Sequence, residues 1–439
     1  MFSSDSAKTQ TRKNFFVLSL LLLLAVQTAF AKATTSSLRA HVEYLCSNAL
    51  EGRLTGTEGE RMATQYVANY FNQLGLEPAG DNHTFFQIFD FTSVLAGKGK
   101  AKLRGRNVLA KLSLGKTSSP IILVGAHVDH LGHGQFSGSR AHAAEVGHIH
   151  AGADDNASGV ASILEVATKL VALQKAGKLQ GNKDIVFVAW SGEEYGTIGS
   201  TYFVKELMRS PVDSPLAKKI AAVINLDMVG HLDKQLIIQA VGSSSQWPEL
   251  IAQACRQQAM PFVMQSDPYL PTDSTSFYVQ GVPTLNFFTG AHDAYHTPRD
   301  KPENLNYPGI AKISELLVAL LQKIEERQLV LTYTSVKKGS DRASHRRKIY
   351  LGTIPDYASA DIKGVKISGV APNSPAASAG LKNGDIIVRL AGKEVRDIYD
   401  YTDAFKELRV GDMSEIVVKR GQGNVTLNIS PENRSQPRP

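Results

Sequence analysis

Five short runs gather imidazole and carboxylate side chains. They are Gly125-Ala126-His127-Val128-Asp129-His130, Gly152-Ala153-Asp154-Asp155-Asn156-Ala157-Ser158-Gly159, Ser191-Gly192-Glu193-Glu194-Tyr195-Gly196, Asn225-Leu226-Asp227-Met228 and Ala294-Tyr295-His296-Thr297-Pro298. Carboxylates crowded into one crevice repel one another unless a cation holds them. Imidazole and carboxylate without thiolate suit zinc, with manganese or cobalt as substitutes. Two such ions about 3.5–4 Å apart, bridged by a carboxylate, recur in hydrolytic sites. The Glu193-Glu194 doublet permits a division of labour, one carboxylate binding metal while its neighbour takes a proton from metal-bound water. Taken singly each run has a bland reading: an Asp-Asp turn, a solvated Glu-Glu first turn of a helix, a satisfied loop histidine. Their joint occurrence, in order and at strand ends, points to a metal centre.

Apolar runs at 107–112, 121–126, 184–190, 220–228, 235–241 and 283–288 predict strands. Between them lie helical patterns over 36–75 (interrupted at Gly56–Gly59), 158–173, 198–208, 248–260 and 308–328. Strands alternating with amphipathic helices predict an α/β domain at 35–330, its mixed central sheet covered by helices on both faces. In such sheets the carboxyl ends of the strands converge on one crevice, and most of the five runs sit there.

The five runs resemble those of the co-catalytic zinc exopeptidases of metallopeptidase family twenty-eight, over roughly residues 36–325. Leu50-Glu51-Gly52-Arg53-Leu54-Thr55-Gly56-Thr57 is similar to the family's bacterial members as well. The resemblance implies a zinc exopeptidase fold and two Zn²⁺ per chain, His127 and Asp227 on one, Glu194 and His296 on the other, Asp155 bridging. It further implies a cis peptide after Asp155, Asp129 orienting His127, Glu193 as general base, and Tyr295 or Tyr269 donating to the oxyanion. The activity implied is aminopeptidase action on peptides. A glutaminyl-cyclase-like acyltransferase, a carboxypeptidase and an inactive binding protein of the same fold are the alternatives. The interval from Asp227 to His296 is 69 residues, too short for the lid domain of the aminoacylase-type peptidases. The loop 131–151, with His133, His142, His148 and His150, reads as a flexible rim of the cleft, with a third metal site as the alternative.

A basic linker is expected over 331–348. Beyond it, Tyr350–Thr353, Val370–Ala377 and Ala379–Ile387 resemble a PDZ domain, which implies a small β-rich module over 349–431 and a tail at 432–439. Such domains bind a peptide or protein C-terminus by adding a strand to a sheet edge.

The chain has 439 residues, 43% hydrophobic and 20% charged, enough for two or three globular domains. Its net charge of +7 is too dispersed to imply nucleic acid, and two cysteines cannot form a disulfide framework. Lys8, Arg12 and Lys13, an apolar run from Phe15 to Val26 and Ala29-Phe30-Ala31 form a secretory signal over 1–31. The expectation is an exported protein, periplasmic or extracellular, without an integral membrane segment after cleavage.

Overall fold

The computed structural model describes residues 34–95, 99–115, 119–134, 139–209, 220–336, 349–355, 362–370, 374–396, 400–401 and 404–433. The signal segment 1–31 lies outside them.

Strands β1 (Glu77–Pro78), β2 (Phe86–Leu95), β3 (Gly99–Leu112), β4 (Ile121–His127), β5 (Asp184–Trp190), β6 (Ile220–Leu226), β7 (Leu236–Gln239), β8 (Phe262–Met264) and β9 (Thr284–Phe288) form one sheet. Its order is β1-β3-β5-β4-β6-β9-β7-β8, with β2 on β3. The central neighbours β5, β4, β6 and β9 are parallel, whereas β3 and β7 join antiparallel, so the sheet is mixed as expected.

The helices are α1 (34–45), α2 (Glu58–Leu74), α3 (Gly159–Lys175), α4 (Ile198–Arg209), α5 (Trp247–Gln257), α6 (Asp273–Tyr278) and α7 (Tyr307–Glu326). Every residue of β4 and β5 is buried because helices cover both faces of these strands. Ile122, Val124, Ile185 and Phe187 face the core beneath α1, α2, α3, α5 and α7, while Ile121, Leu123, Val186 and Val188 pack toward α4 and α6. Thr57 caps α2 through its side chain, and Gly75, at φ 83°, ends it in the left-handed conformation. Asn306 caps α7 by accepting from Gly309 N. The segment Ala153–Lys175 has the length and apolarity of a membrane span, yet 78% of its most apolar 18-residue stretch is buried within the protein, which marks a core helix.

Three features depart from the sequence expectation. The β2–β3 hairpin is much longer than the predicted strand at 107–112, pairing from Phe86↔Val108 to Leu95↔Gly99. In β2 buried Gln87 and Phe89 flank Ile88, which is 49% exposed, so a polar residue faces inward and an apolar one outward, and the apolar–polar alternation that reveals a strand is blurred. The expected linker start at 331 is too early. Leu331 is buried, Thr334 N donates to Ser243 O at 2.8 Å, and Val336 N donates to Tyr278 Oη at 2.6 Å, so 331–336 belongs to the larger unit. The expected tail begins too soon as well, since β17 (Glu432–Asn433) pairs with β10 (Ile349–Tyr350).

The smaller unit contains β11 (Thr353–Pro355), β12 (Val365–Val370), β13 (Ile386–Leu390), β14 (Lys393–Glu394), β15 (Ser414–Arg420) and β16 (Gly423–Ile429), with the short helix α8 (Pro375–Ser378). Its strands order β11-β12-β13-β15-β16 around a core of Leu351, Ile367, Ile387, Leu390, Ile416 and Val418. Of the helix expected near 401–408, residues 400, 401 and 404 are helical and Phe405–Glu407 continue as a 3₁₀ turn.

The run around Arg53 has a definite task. The guanidinium is 1% exposed and donates to four carbonyls: Val128 O (2.9 Å), Leu45 O (2.6 Å), Ala151 O (2.7 Å) and Gly152 O (3.0 Å). It thereby ties α1 to the loop after β4 and to the approach to Asp154-Asp155. A Cβ at Gly52 would stand 2.5 Å from both Gly132 O and His150 O, so only glycine admits this close approach. Replacing Arg53 with Met strands these buried carbonyls. We predict a loss of about 3 kcal/mol in urea-unfolding free energy; a loss under about 0.5 kcal/mol would remove Arg53 from this role.

Candidate metal centre

The parallel strands β4, β5, β6 and β9 deliver their carboxyl ends to one edge of the sheet, and the polar runs gather there. His127 is the last residue of β4, Glu193 and Glu194 follow β5, Asp227 follows β6 and His296 lies in the loop after β9. Asp155 sits in the irregular turn before α3, and its bond to Asn156 is cis. Asn156 joins this turn to the Asp227 loop: its Nδ2 donates to Leu226 O at 2.9 Å, and its Oδ1 accepts from Met228 N at 3.3 Å.

Asp155 occupies the centre. His127 Nε2 lies 3.1 Å from Asp155 Oδ1 and 3.4 Å from Asp227 Oδ1. His296 Nε2 lies 3.0 Å from Asp155 Oδ2 and 3.2 Å from Glu194 Oε2. The five residues assigned to metal therefore form two groups that share one carboxylate, one oxygen to each. Donors about 3.3 Å apart suit a tetrahedral ion with bonds of about 2.0 Å. The donor set fits zinc in both groups.

The charges give the same answer. Burial disfavours an ionised Asp155, yet hydrogen bonds from His127 and His296 outweigh it and hold the carboxyl well below its usual range. Glu194 is likewise opposed by burial but drawn down to about 2, with His296 as the main cause. In return, despite burial, Glu194 and Asp155 raise His296 to about 10. Without a cation, the carboxylates recruit protons onto their imidazoles; a dication would replace those protons.

His130, which received no role from the sequence, enters the second group. Its Nδ1 is 2.8 Å from Glu194 Oε1 and 3.9 Å from Asp155 Oδ2, and its Nε2 is buried without a hydrogen-bond partner among the described residues. The only available signal was its place in the His127–His130 run.

Asp129 reaches His127 chiefly through its backbone carbonyl rather than its carboxylate. His127 Nδ1 meets the Asp129 backbone carbonyl at 3.1 Å, while the carboxylate is 3.8 Å away. That carboxylate instead accepts from Glu193 N (3.1 Å), Glu194 N (3.4 Å) and Thr55 Oγ1 (2.8 Å), fixing the Glu-Glu turn. Asp300 does the same for the Asp-Asp turn, accepting from Asp154 N at 2.9 Å and Asp155 N at 3.0 Å. Neither Thr55 nor Asp300 was legible as a site residue, because each acts through the backbone of a distant segment.

Glu193 and Glu194 border a cavity otherwise lined by neutral side chains, among them Thr197, Thr201, Leu270, Thr275, Ser276 and Val279. Burial, and then the neighbouring Asp227 and Asp273 against the pull of His127, push the Glu193 carboxyl well above its ordinary range. Tyr295 stacks on His296 with ring centroids 3.8 Å apart, beneath the Arg140 guanidinium. Tyr269 is directed elsewhere: its hydroxyl donates to Val336 O at 3.4 Å. The loop 131–151 reaches the rim, where Arg140 N donates to His296 O at 2.8 Å. Its His150 hydrogen-bonds Ser139 Oγ at 2.8 Å, and His142 accepts from Arg299 at 3.1 Å. Cys46 and Cys255 are free thiols.

Residues 107–321 match the model of peptidase family M28, and residues 328–430 match that of the PDZ domain. The chain is similar to leupeptin-inactivating enzyme 1 of Streptomyces exfoliatus, 23% identical over 409 residues that cover 84% of this chain and 81% of that protein. It is also similar to aminopeptidase YwaD of Bacillus subtilis (strain 168), 26% identical over 194 residues, or 40% of this chain and 38% of that one. Among solved structures, BSAP, a zinc aminopeptidase from Bacillus subtilis, shares the fold with a TM-score of 0.52 at 15% identity, covering 69% of this chain and 98% of that one.

Proposed function

Residues 107–321 belong to peptidase family M28 and are followed by a PDZ domain, and from that premise we propose that the chain is an exported aminopeptidase working with two zinc ions. The observation that carries the reading is the shared carboxylate, Asp155, whose Oδ1 faces His127 and Oδ2 faces His296. His127, Asp227 and Asp155 would hold one ion, and Glu194, His296 and Asp155 the other, with His130 beside the second. Zinc there supplies Lewis acidity toward a peptide carbonyl and makes a bound water more acidic.

Glu193 is the proton carrier. Its backbone N–H is held by Asp129 at 3.1 Å, and its side chain lines the cavity beside Glu194. It takes a proton from the attacking water and returns it to the leaving amine. Tyr295, stacked on His296, donates to the developing oxyanion. Action at the amino end is supported by the names of YwaD and BSAP, both aminopeptidases. For the PDZ domain the reading is capture of a peptide C-terminus.

Export rests on the basic and apolar N-terminal segment; the mature chain then begins at Lys32, which N-terminal sequencing of the exported form reads directly. Glu193→Gln is expected to keep its zinc while kcat/KM on a leucyl-p-nitroanilide falls by about 10²–10⁴-fold. Near-normal turnover would remove Glu193 from the mechanism. The neutral lining of the cavity offers no cation to an acidic side chain. Leucyl substrates should therefore be cleaved at least about tenfold faster than glutamyl ones; equal rates would show that this cavity does not receive the N-terminal side chain.

A further inference from the structure

Asp154 turns away from the two groups that Asp155 joins. Its Oδ1 accepts from Gly230 N at 2.6 Å and from Ser158 Oγ at 3.1 Å, and its Oδ2 lies 3.1 Å from His292 Nε2. A Cβ at Gly230 would stand 2.6 Å from Asp154 Oδ1, so glycine is what lets this amide reach the carboxylate. The next residue, His231, lays its ring against His292 with centroids 4.1 Å apart and planes at 34°. One donor atom from each of Asp154, His231 and His292 lies within 4.8 Å of the other two.

A histidine–aspartate hydrogen bond accounts for part of this. It leaves His231 Nε2 buried without a hydrogen-bond partner among the described residues, beside a second imidazole. A buried unsatisfied nitrogen costs about 1–3 kcal/mol. A cation shared by the two imidazoles and Asp154 Oδ2 removes that cost. The geometry points to a third metal site, formed by Asp154, His231 and His292 and separate from the pair joined by Asp155.

Two imidazoles and one carboxylate select zinc or a similar late first-row dication over calcium or magnesium, which prefer all-oxygen shells. His292 keeps 16% of its side chain exposed, which leaves an entry path and room for a water as fourth ligand. Asp154 already has the outer-shell support typical of a ligating carboxylate, its other oxygen being tied to Gly230 and Ser158. The site also has a mechanical consequence. Asp154 adjoins Asp155, His231 follows Asp227 by four residues and His292 precedes His296 by four. An ion here clamps together the three loops that carry ligands of the co-catalytic pair.

The test uses full-length protein saturated with zinc, dialysed against metal-free buffer and analysed by plasma mass spectrometry. Wild type should retain one zinc equivalent more than His231→Ala and one more than His292→Ala. Because the ion ties together the loops that carry the co-catalytic ligands, both variants should lose part of their leucyl-p-nitroanilide turnover but keep measurable activity. Equal zinc content in all three proteins would overturn the site. The comparison is a difference, so it holds whatever the stoichiometry of the co-catalytic pair. If either variant fails to fold by circular dichroism, anomalous scattering at the zinc edge from wild-type crystals decides. A peak about 2.0–2.2 Å from the two imidazoles and Asp154 supports the site, and its absence beside an occupied Asp155 pair overturns it.

Discussion

Everything at the catalytic edge of the sheet depends on one electrostatic constraint: Asp155, Glu193, Glu194 and Asp227 crowd into one largely buried crevice. Burial penalises each charge, and each carboxylate penalises the next. Imidazoles answer this locally, with His127 and His296 reaching Asp155 from opposite sides. The arrangement is one that cations complete, and the division of Asp155 between two groups follows from its having two oxygens.

A second layer of carboxylates holds the first by its backbone. Asp129 holds the amides of Glu193 and Glu194, and Asp300 holds those of Asp154 and Asp155. Loops would otherwise let such a crowded set drift apart, since repulsion lowers its energy by separation. Main-chain anchoring leaves the ligand oxygens free to face one another. Arg53 extends this scheme to the outer chain, its single buried guanidinium joining α1, the β4 loop and the Asp-Asp turn. The cluster of Asp154, His231 and His292 crosses the same loops on the far side of Asp155.

The scaffold beneath is simpler. Parallel strands β4, β5, β6 and β9 must end at one edge, and their apolar residues alternate between two helix-covered faces. This places the buried core under the loops that carry the ligands. The PDZ unit has a hydrophobic core of its own.

How much of this was legible depends on whether the cause is local. Apolar runs such as Ile121–Ala126 and 184–190 identify central strands, because burial on both faces demands them. The five polar runs identify a metal centre, because their residue types have one common use at strand ends. Other features had no local cause. His130 and Asp129 could not be told apart from neighbours by type alone; which atom each meets depends on how the β4 and β5 loops fold toward one another. Nothing local joins Asp154 to His231 and His292, which lie 77 and 138 residues further along the chain. The hairpin β2–β3 was hidden because β2 turns polar Gln87 inward and apolar Ile88 outward. Residue type and short-range spacing were thus set by the sequence itself: the strands, the ligand inventory and the chemistry it can support. Only the tertiary structure decided the partners, because each decisive contact joins segments tens of residues apart and exists only after the sheet has brought its strand ends to one edge.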